Sequence, residues 1–140
     1  MSYAGFWKRF VAWILDTFIL LIASFPLVIV TTLWLSSMGA EEQDDTLFTI
    51  VGFILGTIVR LLYFALMESS PTQATLGKMA VGIKVTDLQG NPIILSRAIT
   101  RNLAKLLSAL IFDVGYIMAG FTSKKQALHD VIADCLVVNK

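Results

Sequence analysis

Cysteine and histidine are almost missing from this sequence: Cys135 and His129 are single copies in 140 residues. One thiol rules out an internal disulfide, and a lone Cys with a lone His falls far short of a zinc set. Charge is also scarce, at 15% of residues, and the balance of 11 Lys and Arg against 10 Asp and Glu leaves +1. Such a balance gives no general attraction to nucleic acid. There is no G-x-S-x-G, no metal motif and no evident nucleophile, so neither an enzyme nor a cofactor is expected. What the chain does have is apolar surface. A hydrophobic share of 56% with a mean hydropathy of +0.77 lies outside the range of soluble domains and indicates an integral membrane protein.

The apolar residues fall into two long runs. Residues 10–35 carry Asp16 as their single ionisable group, with Pro26 as a place to kink, and residues 47–67 are interrupted by Arg60 alone. Each exceeds or matches the roughly 20 residues needed to cross a hydrocarbon core. Lys8 and Arg9 resemble the basic start of a signal peptide, but the run after them is too long and lacks a small-residue cleavage site. Between the runs, residues 36–46 hold acids and no Lys or Arg, while basic residues flank the other ends. The positive-inside rule then places the N-terminus and residues 68–140 in the cytoplasm and the acidic loop outside. Asp44, Asp45 and Thr46 offer N-cap oxygens to the second span.

Past the second span the pattern changes. AVGIKVTD alternates and LQGNP supplies turn residues, which predicts a short strand and turn. CLVV near the C-terminus is a candidate partner strand for GIKV. Arg97, Arg101 and Lys105 recur every four residues opposite Ile99, Leu103, Leu106, Leu107 and Leu110. This predicts an amphipathic helix whose basic face suits anionic lipid headgroups, or a packed helix with a solvated charged face. Lys78 is likewise read as a headgroup-facing charge. Residues 107–121 are apolar but short and broken by Asp113 and Gly115, which favours a buried, interfacial or re-entrant element over a third span. Ser123 and Gln126 suggest a capping box before QALHDVIAD. TLGK lacks the spacing of a phosphate loop, so Gly77 and Gly82 are read as close-packing and turn glycines. His129 and Asp130, being adjacent on a helix, are not expected to face each other.

Arg9 at the start of the first span, Asp16 within it, the block TLGKMAVGIKVTDLQGNP with SRAITRN, and the closing QALHDVIADCLVV together resemble the RDD family of membrane proteins. The family is named for one arginine and two aspartates. By position these are Arg9, Asp16 and, for the second aspartate, Asp130, with Asp134 and Asp113 as alternatives. The resemblance implies one membrane domain over residues 1–140 and a suspected transport role with no assigned ligand. Arg60 has no counterpart in that pattern.

The expected fold is therefore an all-α membrane protein: two transmembrane helices, an amphipathic or re-entrant helical segment towards the C-terminus, and a small cytoplasmic strand pair. Arg9 and Asp16 are about 10 Å apart along a helix, too far to pair. Counting depth from the cytoplasmic side matches Asp16 with Arg60 and Arg9 with Glu68, predicting two charge contacts between the spans. Snorkelling is the other option for Arg60. Gly52 and Gly56 form a G-x-x-x-G suited to helix packing, against the first span or a second copy. The functional expectation is an oligomeric transporter in the cell membrane, moving an ion or small polar solute past Asp16. The alternative is a non-transporting anchor whose cytoplasmic segment binds a protein partner or anionic lipid.

Overall fold

The uninterrupted apolar run at the N-terminus folds as a single helix, α1 (Phe6–Ser37), in a computed structural model that describes residues 2–38, 45–110 and 114–140. Helix α1 continues through Pro26, and the hydroxyls of Thr17, Ser24, Thr31 and Thr32 bond back to carbonyls one turn earlier. Such bonds hold polar side chains within the helix where no water is available. Only Ala12, Asp16 and Leu35 are buried along it, while Trp7, Phe18, Ile22 and Phe25 stand exposed. Exposed Trp7 and Trp34 lie about 40 Å apart at 1.5 Å per residue, the thickness of a bilayer with its interfaces. Ring contacts from Phe6 through Trp7 and Phe10 to Trp13 gather aromatics at the N-terminal end, as an interfacial belt requires.

The second run forms α2 (Asp45–Ser69). Both helices are long and apolar enough to cross a membrane, and little of either is covered by the rest of the chain. The acidic segment 39–44 between them and Asp113 lie outside the described residues, as does the cap expected from Asp44.

Everything after α2 builds a cap at one end of this pair. It comprises α3 (Leu76–Val81), β1 (Ile83–Asp87), α4 (Leu95–Leu110), α5 (Val114–Phe121), α6 (Leu128–Ile132) and β2 (Cys135–Asn139). Gly82, at φ 73°, ends α3 in the left-handed conformation that glycine adopts most cheaply. The strands pair antiparallel as their sequences suggest, with Val85 opposite Val137 and Asp87 opposite Cys135. Asp87 then closes the turn by accepting from the amides of Gln89 and Asn91 at 2.9 and 2.8 Å. Tyr3 bridges to Val138, and the Ala4 amide donates to the Val137 carbonyl at 2.8 Å. Both chain termini therefore sit at the same end of the helix pair. Ile83, Val85, Val137, Cys135, Ala98 and Ala133 form the apolar core of the cap.

Two expectations change. Residues 107–121 are not one element: α4 runs on to Leu110, and the eight-residue α5, about 12 Å long, follows. The Ser123 to Gln126 capping box does not form, because Lys125 adopts φ 49° and turns the chain between them. The Gln126 amide donates instead to the Thr122 hydroxyl at 2.8 Å, and α6 begins after Ala127.

Cys135 is fully buried, and burial pushes its thiol up to about 11. An impermeant maleimide should therefore leave Cys135 unmodified in folded protein from either side of the membrane and label it fully in SDS. Rapid labelling of folded protein would contradict the burial of β2. Exposed Gln89 is the better place for an introduced topology reporter.

Candidate functional site

Ala12 and Asp16, one turn apart on α1, face the cap and receive the start of α3. The approach is close enough that a Cβ on Gly77 would lie 2.3 Å from the Ala12 carbonyl oxygen and 2.9 Å from the Asp16 nitrogen. Glycine at this position lets its own amide donate to Asp16 Oδ1 at 2.8 Å. Thr75 Oγ1 donates to Asp16 Oδ2 at 2.5 Å while accepting from the Lys78 amide as the N-cap of α3. From α2, Tyr63 donates to Asp16 Oδ1 at 2.8 Å and accepts from the Leu76 amide at 3.1 Å. Asp16 is 0% exposed, and three donors from α2 and α3 converge on its two oxygens.

The expected partner, Arg60, is elsewhere. It is exposed on α2, its guanidinium 5.6 Å from the Phe64 ring centre, along a groove shared with Thr17, Ser24 and Gly56. Matching depth between two helices does not fix azimuth, and Tyr63 takes the direction facing Asp16. Gly52 and Gly56 are also exposed, with nothing within 4 Å of a Cβ at either, so they do not pack against α1.

A second cluster joins the cap to both long helices. Glu68, 0% exposed in the last turn of α2, is contacted by Lys78, by Arg101 Nη1 at 2.7 Å, by Asn102 Nδ2 at 3.1 Å and by Lys105 Nζ at 3.4 Å. Asp130, also 0% exposed, takes Arg9 from α1 and Arg101 from α4, with Arg101 Nη2 at 2.7 Å and Nε at 2.8 Å. It also accepts the Ala127 amide at 3.1 Å, which starts α6. Arg9 reaches the carbonyls of Ala4 and Lys125 as well, at 3.2 and 2.6 Å. Arg101 thus links the two acids, tying α2, α4 and α6 together, and Arg9 adds α1.

This arrangement corrects several expectations. Arg9 pairs with Asp130 and not with Glu68, because the cap inserts between the spans' ends. Lys78 and Arg101 do not face headgroups: they are 7% and 2% exposed and point at Glu68. Lys105 turns inward too, while Arg97 sits half-buried one turn before Arg101. The buried acids pull the basic face of α4 into the protein. His129 and Asp130 do meet, Nε2 to Oδ1 at 3.5 Å, because both are enclosed at the start of a short helix. Asp134 is exposed in a left-handed turn, apart from the network. Tyr63, Thr75 and Asn102 escaped the sequence reading, and the T-L-G-K order was the available signal for Thr75. Among the described residues, no group of three or more His, Cys, Asp or Glu could hold a metal ion.

Two acids face four cations, and the surplus is visible in the titration of the group. Burial pushes Lys105 down to about 7, with Glu68 opposing and Arg101 and Lys78 reinforcing the fall. Lys78 is lowered for the same reasons. Asp130 is held far below the usual carboxylate range: burial acts to raise it, but Arg101 and Arg9 prevail. Burial lowers His129 to about 2, so it stays neutral. Between about 7 and 9 the unfolded chain keeps the Lys105 proton that the folded protein has lost, so stability rises with pH across that window. A thermal midpoint in detergent should increase from pH 7 to 9, and Lys105→Met should flatten that rise. A falling midpoint in the parent protein would contradict the assignment.

The RDD family model matches residues 3–134, which include Arg9, Asp16 and Asp130. The chain belongs to the RDD family. Two relatives from Bacillus subtilis (strain 168) share most of its length. An uncharacterized protein, YxaI, is 33% identical, with 98% of this chain and 97% of the relative aligned. An uncharacterized membrane protein, YteJ, is 36% identical over 99% of this chain and 82% of its own. No solved structure matches. Arg9 meets Asp130 directly, Asp16 is held by Thr75, Gly77 and Tyr63, and these contacts fasten the cap to the apolar helices.

Proposed function

We propose that this RDD protein is a non-transporting, non-enzymatic membrane anchor. Its two spans hold a rigid cap at the cytoplasmic face, where it serves as a platform for a protein partner. The carrying observation is that Asp16 and Asp130, both fully buried, are engaged by partners within the chain. A carboxylate that binds and releases a solute needs free coordination, and here the oxygens hold structure together. The inward turn of Lys78 and Arg101 weakens the case for anionic headgroups as the partner.

Transport is the second reading, favoured by one observation. The groove between α1 and α2 carries Thr17, Ser24 and Arg60 among apolar residues, beginning one residue from Asp16. Exposed Gly52 and Gly56 would let a second copy close that groove. Flux into proteoliposomes of purified protein separates the readings. An anchor gives the rate of empty vesicles for inorganic cations, inorganic anions and small metabolites. Flux above that rate, abolished by Arg60→Gln or Asp16→Ala, would establish transport instead.

A further inference from the structure

Helix α4 is an amphipathic helix turned inside out. Arg101 and Asn102 are 2% and 3% exposed, whereas Leu95, Ile99, Leu103 and Leu106 are 44%, 43%, 47% and 44% exposed. At 100° per residue these four occupy a stripe about 80° wide, flanked among the described residues by exposed Ser96 and Thr100 on one side and by buried Asn102 on the other. The Thr100 hydroxyl is already bonded to the Ser96 carbonyl at 3.1 Å. A stripe of this kind cannot face water cheaply, because each exposed aliphatic side chain forgoes the free energy of burial.

The stripe is continuous with the outer surface of α2. Leu95 and Ile99 line one groove together with Ile58, Leu61, Leu62, Ala65 and Leu66. Ile58 lies about 15 Å along α2 from Glu68, well inside the span. A helix sharing a groove with Ile58 and Leu62 is at hydrocarbon depth along that side. We propose that α4 seats its Leu95–Ile99–Leu103–Leu106 stripe among the lipid acyl chains of the cytoplasmic leaflet, extending the lipid-facing surface of α2. Arg101 and Lys105 of its basic face are taken up by Glu68 and Asp130. The partner it fits is thus the apolar interior of the bilayer, recognised by chain burial and not by headgroup charge. The inference holds whether the protein anchors or transports.

Collision-sensitive spin labels test it in proteoliposomes of full-length protein. Leu103→Cys and Ile99→Cys are each made in a Cys135→Ala background, with Leu62→Cys as the lipid reference and Gln89→Cys as the water reference. Both test positions are exposed, so either label leaves the buried face intact, and each stands if the other fails to fold. The expected result is high relaxation by oxygen and low relaxation by a neutral nickel chelate at both positions, as at Leu62. Nickel accessibility at the level of Gln89 would overturn the proposal by placing the stripe in water. Low accessibility to both reagents would also overturn it, because the stripe would then be covered by protein. Vesicles of neutral and of anionic lipid should give the same pattern; seating that requires anionic lipid would contradict recognition by the hydrocarbon.

Discussion

Glu68→Gln will lower the stability of the protein in detergent by about 3–5 kcal/mol, the cost of leaving buried charges without their counter-ion. Glu68 is 0% exposed and is the shared acid for Lys78, Arg101 and Lys105. A neutral amide at this position can still bond to one donor, but the surplus of positive charge around Asp130 grows. The reverse change has the opposite sign. Lys105→Met removes a cation from a cluster that already has too many, and at 18% exposure it leaves no isolated buried charge behind. It should be neutral or stabilising near pH 7. Denaturant titration of both variants, followed by tryptophan fluorescence, checks the pair of outcomes.

Gly77→Ala is the second large effect. The new Cβ meets backbone, the Ala12 carbonyl oxygen at 2.3 Å, and backbone of α1 cannot rotate away. Helix α3 must withdraw, which costs overpacking strain together with the buried bonds from Gly77 and Thr75 to Asp16. The sum is about 3 kcal/mol. Gly52→Ala and Gly56→Ala provide the contrast. A Cβ at either position meets nothing within 4 Å, so the exchange should gain helix propensity of up to about 1 kcal/mol. A large loss at Gly56 with no loss at Gly77 would instead point to a tight helix contact between copies.

The two long helices were legible because an apolar run of that length has one common fate in a membrane protein. The strand pair was legible because GIKV and CLVV alternate or run apolar between turn signals, and Gly90 marks the bend. What failed was azimuth. Depth along antiparallel spans suggested Asp16 with Arg60 and Arg9 with Glu68, yet helix rotation and an inserted cap assign Asp16 to Tyr63, Thr75 and Gly77, and Arg9 to Asp130. The same missing information reversed α4. A basic stripe opposite a leucine stripe reads as charge outward, and only the positions of Glu68 and Asp130 show that charge is inward.

Asp16 is held by the cap rather than paired with Arg60 of α2. A double-mutant cycle in detergent tests this most directly, with Asp16→Ala combined first with Thr75→Val and then with Arg60→Gln. The account predicts a coupling of about 1–2 kcal/mol between Asp16 and Thr75, and additivity within about 0.5 kcal/mol between Asp16 and Arg60. Strong coupling to Arg60 with additivity at Thr75 would contradict it.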